Sequence, residues 1–156
     1  MDLFNYHPRA SHGVRIGNRP LGGNHPLRIQ SMTTFPTTDT AGCVEQSVRI
    51  IEAGGDYVRL TTQGTIEAEN LRNIKAELVR RGFDNPLVAD VHFNPKVADV
   101  AAGIVEKVRI NPGNYVDPAR TFKHLEYTDE EYAAELSRLE ERFKQLLAIC
   151  REHGTA

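Results

Sequence analysis

Three apolar segments of this chain end in polar residues set two positions apart: Arg59 and Thr61 in DYVRLTT, Asp90 and His92 in NPLVADVHF, and Arg109 and Asn111 in EKVRINPGN. In an extended strand, residues two apart share a face, so each pair addresses one side of a sheet. Two arginines converging from neighbouring strands cost on the order of several kcal/mol each to desolvate unless anions answer them. Asp90 can answer one, giving an internal salt-bridge network with His92 hydrogen-bonded nearby. The alternative is an anion site, most naturally a phosphate or diphosphate held by guanidinium forks, with Asn111, Asn114 and the Gly113 backbone adding neutral donors. The pattern alone leaves both readings open. Ser31 and Thr33, at the end of HPLRIQSM, extend the polar ring, although hydroxyl residues in strand-to-helix loops usually cap or turn. His92 is suited to donating or accepting a proton and equally to serving as a hydrogen-bonded partner oriented by Asp90.

No serine nucleophile with its base, no P-loop, no GxGxxG and no clustered metal ligands accompany these residues. Any enzyme built on them binds and positions substrate better than it explains bond breaking. Lys and Arg number 19 against 21 Asp and Glu, and the net charge of -2 gives no reason to expect nucleic acid or an anionic membrane as partner. The acidic residues of the last quarter, from Glu126 to Glu141, read as a solvated helix face. No apolar run approaches a membrane span, and the polar start lacks a secretory core, so a cytoplasmic location is the expectation. Cys43 and Cys150 show neither CxxC nor Cys/His spacing, so the segment encodes no disulfide framework or self-contained metal site, and both fall on apolar helix faces.

The elements that must position the polar pairs follow from periodicity. VRIGNRPLGG offers a hairpin turn about Gly17-Asn18, and HPLRIQSM a strand. Val44, Val48 and Ile51 mark a helix capped by Asp39 or Thr40 and stopped at Gly54-Gly55. DYVRLTT is the second strand, and Leu71, Ile74 and Leu78 mark a helix ending at Gly82. NPLVADVHF is the third strand, and Asn94-Pro95 opens a short helix closed by Gly103. EKVRI is the fourth. Thr128 and Glu131 form a capping box for a last helix whose face is Tyr132, Leu136, Leu139, Phe143, Leu146 and Cys150, up to Gly154. YVDPARTFKHLEY, between the fourth strand and that helix, is a polar connection.

Strand followed by helix, four times, predicts a parallel sheet with right-handed crossovers. An open doubly wound sheet and a slice of a barrel both satisfy that order. The polar residues gather at the C-terminal strand ends, where barrel enzymes collect their chemistry, and this favours the barrel. The expected fold is α/β of the (β/α)8 TIM-barrel type, here a truncated half barrel. Residues 1–26 form a lead-in with the hairpin, and 27–156 carry the first four βα units. A fifth strand is due at Ala156. A half barrel leaves two strand edges and one side of its core uncovered, so self-association into a homo-oligomer is expected.

QSMTTFPTTDT, AGGDYVRLTT, PLVADVHFNP and EKVRINPGNYVD, in that order and spacing, resemble the N-terminal barrel half of the 4-hydroxy-3-methylbut-2-enyl diphosphate synthase family, over roughly residues 14 to 156. EYTDEEYAAELSRLEERFKQLLAICREHG resembles its plant-like, three-domain form. The resemblance implies a TIM barrel whose rim binds 2-C-methyl-D-erythritol 2,4-cyclodiphosphate in isoprenoid biosynthesis. It also implies a separate domain with a [4Fe-4S] cluster, fed with electrons by a flavodoxin or ferredoxin. By motif, Arg59 and Arg109 would hold diphosphate oxygens and Asn111 and Asn114 would complete the mouth. Asp90 and His92 would line the pocket, and Ser31 to Thr33 would contribute from QSMTT. Cluster ligands match nothing here, so the segment is expected to bind no cofactor and to lack turnover alone. A pterin-binding barrel of the dihydropteroate synthase kind, and a non-catalytic anion-binding or structural module with internally satisfied arginines, are the competing expectations.

Overall fold

The computed structural model describes residue 5, residues 9–116 and residues 127–156. Four parallel strands, β1 (Gln30–Met32), β2 (Tyr57–Thr62), β3 (Leu87–Val91) and β4 (Lys107–Arg109), lie side by side in sequence order. The helices α1 (Thr40–Glu52), α2 (Thr65–Arg80), α3 (Pro95–Ala102) and α4 (Asp129–His153) follow them in turn. Sequential parallel order is what a barrel wall requires, and it departs from the reversal of strand order that defines a doubly wound sheet.

Local chemistry sets the helix boundaries. Asp39 caps α1 by accepting from the Gly42 N–H at 3.0 Å, and Asn94 caps α3 by accepting from the Lys96 N–H at 3.1 Å, with Pro95 at the first helical position. Thr128 and Glu131 form the reciprocal box at the start of α4, which ends on Gly154 in the left-handed region at φ 68°.

The outward strand residues make the core. Val58, Leu60, Leu87, Ala89 and Val91 are almost wholly buried under Val44, Leu71, Ile74, Val97 and Ala101 of the helices. The expected face of α4 is only partly covered. Leu146 is buried, whereas Tyr132, Leu136 and Phe143 are 57%, 47% and 38% exposed, because α3 is the one helix described beside it. Ala156 continues the sheet: its N–H donates to the Glu106 carbonyl at 3.0 Å and its carbonyl accepts from the Val108 N–H at 2.8 Å, pairing it in parallel with Lys107.

The hairpin about Gly17-Asn18 reduces to one antiparallel bridge, Val14 with Leu21, rather than two strands. It plugs the N-terminal end of the inner face, where Ile16, 1% exposed, packs on Tyr57 and Val88. Arg19 and Arg28 both reach Asp56, at 3.3 and 3.4 Å, and tie this segment to the start of β2. The polar connection after β4 divides. Pro112–Asn114 form a 3-10 turn and Tyr115 is buried, while residues 117–126 lie outside the described residues.

Candidate functional site

Strand register decides which polar residues meet. Thr61 pairs with Asp90 and Asp90 with Arg109, so these three form one row across the inner face. Met32, Arg59, Val88 and Lys107 form the row below it. Arg59 and Arg109 approach the same carboxylate: Arg59 Nη2 donates to Asp90 Oδ2 at 2.5 Å, and Arg109 Nη1 to Asp90 Oδ1 at 3.2 Å. His92 Nε2 lies 3.1 Å from Asp90 Oδ2. The Asp90 side chain is 4% exposed, against 27% for Arg59, 40% for Arg109 and 36% for His92, so the anion is enclosed and the cations face the opening.

Burial alone would raise the Asp90 carboxyl. The hydrogen bonds from Arg59 and His92, together with the positive charge of Arg59, outweigh it and hold the group below the usual carboxylate range. Two guanidinium groups thus share one carboxylate, leaving a net positive charge. Arg59 Nε is buried and donates to nothing among the described residues. The network reading and the anion-site reading are therefore not exclusive, since the network exists and does not consume every donor.

The amides stand on the next step of the chain. Asn111 Oδ1 accepts from the Gly113 N–H at 3.1 Å, and the Asn111 carbonyl from the Asn114 N–H at 3.2 Å. The Asn111 oxygen thus builds the turn, and among the described residues its NH2 has no acceptor, so it can donate at the mouth.

Ser31 and Thr33 do not join this cluster. Ser31 pairs with Val58, on the helix-facing side of the sheet, and borders a groove of about 300 Å³ with Gln46, Arg49 and Ile50 of α1. Thr33 is 4% exposed and its hydroxyl lies against the Cys43 thiol. The physical reason is strand parity: Met32, not its neighbours, shares the face of Arg59. The sequence reading in turn missed Lys107, which alternation places on the inner face two residues before Arg109.

The cysteines do not fit an iron-sulfur cluster. Cys43 is buried, its Sγ 3.3 Å from the Pro36 carbonyl, and Cys150 is half-buried on α4. Burial pushes both thiols up, away from the thiolate a cluster needs. Among the described residues no three His, Cys, Asp or Glu stand together as a metal site, and no helix is long and apolar enough to cross a membrane.

Comparison with known proteins bears on the fold and the family. The chain is 67% identical over all 156 residues to a 4-hydroxy-3-methylbut-2-en-1-yl diphosphate synthase (flavodoxin) of Phocaeicola vulgatus, covering 25% of that protein. It is 58% identical to the corresponding protein of Parabacteroides distasonis, covering 26% of it. Against the chloroplastic, ferredoxin form of Oryza sativa subsp. japonica it is 44% identical over 154 residues, 99% of this chain and 21% of that protein. The chain therefore spans about a quarter of the length of the curated relatives it matches. Among solved structures, 7,8-dihydropteroate synthase from Vibrio fischeri matches with a TM-score of 0.50 at 14% identity, over 94% of this chain and 63% of that one, a likeness of fold alone. Residues 11–156 match the GcpE TIM-barrel domain, and with the parallel βα order and the strand-end motifs in place, this chain belongs to that family.

Proposed function

We propose that this chain is the first part of the barrel domain of a 4-hydroxy-3-methylbut-2-en-1-yl diphosphate synthase, an oxidoreductase of isoprenoid biosynthesis. In this reading Arg59 and Arg109 grip the diphosphate of 2-C-methyl-D-erythritol 2,4-cyclodiphosphate. Asp90 holds both guanidinium groups in place, His92 lines the pocket, and Asn111 and Asn114 add neutral donors at the mouth. The observation that carries it is the charge imbalance: two guanidinium groups on one carboxylate, with Arg59 Nε unmatched. An oxyanion supplies both the missing charge and the missing acceptor. Ser31 and Thr33 face α1 and have no direct part in this grip.

The [4Fe-4S] cluster and the flavodoxin or ferredoxin docking site then belong to the remainder of the longer protein, in the cytoplasm. The isolated 156-residue chain is inactive, and turnover by it with a reduced donor would overturn that statement. Its uncovered strand edges and α4 face favour self-association, read by sedimentation. Titrating the chain with inorganic diphosphate, the cyclodiphosphate and a dihydropterin tests the substrate class. Binding of both diphosphates, lost in Arg109→Met, is the expected result. Binding of the pterin alone would transfer the site to the dihydropteroate synthase reading.

A further inference from the structure

Tyr115 closes the turn that carries Asn111 and Asn114, and it is 2% exposed. The guanidinium carbon of Arg142, on α4, stands 5.7 Å from its ring centroid. Arg142 Nη2 in turn donates to Asp99 Oδ2 of α3 at 2.5 Å. One residue beyond the tyrosine, Arg138 Nη1 of α4 donates to the Val116 carbonyl at 3.2 Å. Two side chains of α4 therefore meet the two residues that follow the turn, and one of them is anchored to α3 through Asp99.

Adhesion between α3 and α4 does not account for this cluster. Tyr115 Oη, Asp99 Oδ1 and Arg142 Nη1 are all buried without a hydrogen-bond partner among the described residues. Apolar side chains of similar volume would join the helices without leaving polar atoms unmatched. What the charged arrangement adds is direction. Asp99 pins the Arg142 guanidinium group at one edge and holds it over the Tyr115 ring, a placement that neither lysine nor an aliphatic chain reproduces.

We propose that Arg142 is a positioning residue: held by Asp99, it seats the Tyr115 ring and thereby fixes the turn that presents Asn111 and Asn114 at the mouth. It acts through Tyr115 and does not line the inner face itself. The order of the turn belongs to the free chain, so it is read without any ligand. Its failure would leave the proposed substrate class untouched.

The test is amide hydrogen exchange in the 156-residue chain at Gly113 and Asn114, whose N–H groups bond to Asn111, alongside the amides of Leu146 to Cys150. Arg142→Met keeps the apolar stem and removes the plane. It should speed exchange at the two turn amides about tenfold while leaving the α4 amides at the wild-type rate. Arg142→Lys should fall between the two. Asp99→Asn, nearly isosteric and off α4, should loosen the turn in the same selective way, and Tyr115→Phe, which keeps the ring, should not. Turn exchange at the wild-type rate in both Arg142→Met and Asp99→Asn would overturn the proposal. So would loosening of the turn only in step with α4, or a loosened turn in Tyr115→Phe.

Discussion

Replacing Asp90 by Asn tests the central feature of the site, because it removes one charge and almost no volume. Its carboxylate is 4% exposed and contacts three cationic or ionisable groups, Arg59 at 2.5 Å, His92 at 3.1 Å and Arg109 at 3.2 Å. Losing one partner of a buried pair costs roughly 3–5 kcal/mol when the other is left enclosed. Here the guanidinium groups are 27% and 40% exposed and can turn towards water, so the cost falls to about 2–3 kcal/mol. For a chain of this size, with a urea slope of about 2 kcal/mol/M, the unfolding midpoint should drop by about 1–1.5 M at pH 7 with the slope unchanged.

Two further measurements separate this account from a packing defect. Inorganic diphosphate should restore more stability to Asp90→Asn than it adds to the wild type, because the variant exposes both arginines to it. At ten times its dissociation constant a ligand adds about 1.4 kcal/mol. The pH dependence has a fixed sign: a carboxyl held below its unfolded value stabilises fully above the unfolded value, about 3.9, and loses that contribution as pH falls through its folded value. The gap between wild type and variant should therefore close below about pH 4. A midpoint within about 0.2 M of wild type, or equal stabilisation of both proteins by diphosphate, would refute the reasoning.

Burial pushes the Tyr115 hydroxyl up to about 12, so its contribution is complete below the unfolded value near 10 and disappears as pH rises through 12. Tyr115→Phe should therefore lose about 2 kcal/mol less than wild type between pH 9 and pH 11.5, read from urea midpoints. Gly17→Ala places a Cβ 2.9 Å from Glu106 Cγ and 3.2 Å from Pro86 Cγ at a φ of 52°, and should cost about 1–2 kcal/mol in thermal unfolding. Asp39→Ala removes the cap on the Gly42 N–H and should cost about 1 kcal/mol by the same assay, with Asp39→Asn close to wild type.

The barrel order was legible because polar residues end the strands and helix signals follow them, with β2 and β3 adding a buried outward face. Asp39, Asn94 and Thr128 all cap as their spacing suggests. Ser31 was illegible because alternation tells that Ser31 and Thr33 share a face, but only the pairing of Met32 with Arg59 tells which face. The exposure of Tyr132 and Leu136 was equally hidden, since an apolar stripe announces that something should cover it without saying what is present. Tyr115 sits inside a polar connection, and its partners Asp99 and Arg142 lie 16 and 27 positions away on two helices. No local pattern joins three such residues.

The two faces of the sheet obey opposite rules, and the difference bears on what the site is for. Outward residues of β2 and β3 are mostly aliphatic, with Val58, Leu60, Ala89 and Val91 buried and Thr62 the polar member of that face. The inner face is apolar where Ile16 covers Tyr57 and Val88, carries Lys107 beside Val88 and Met32 beside Arg59, and is ionic around Asp90 towards the mouth. A face selected for stability alone would continue the aliphatic pattern, because even a well-made buried ion pair is often less stabilising than hydrophobes of the same volume. A face selected for an internal network would balance its charges. This one does neither: it encloses the Asp90 carboxylate, turns two arginines towards the opening and, among the described residues, leaves Arg59 Nε without an acceptor. Such an imbalance costs stability in the free chain, and it is what the proposed oxyanion would relieve.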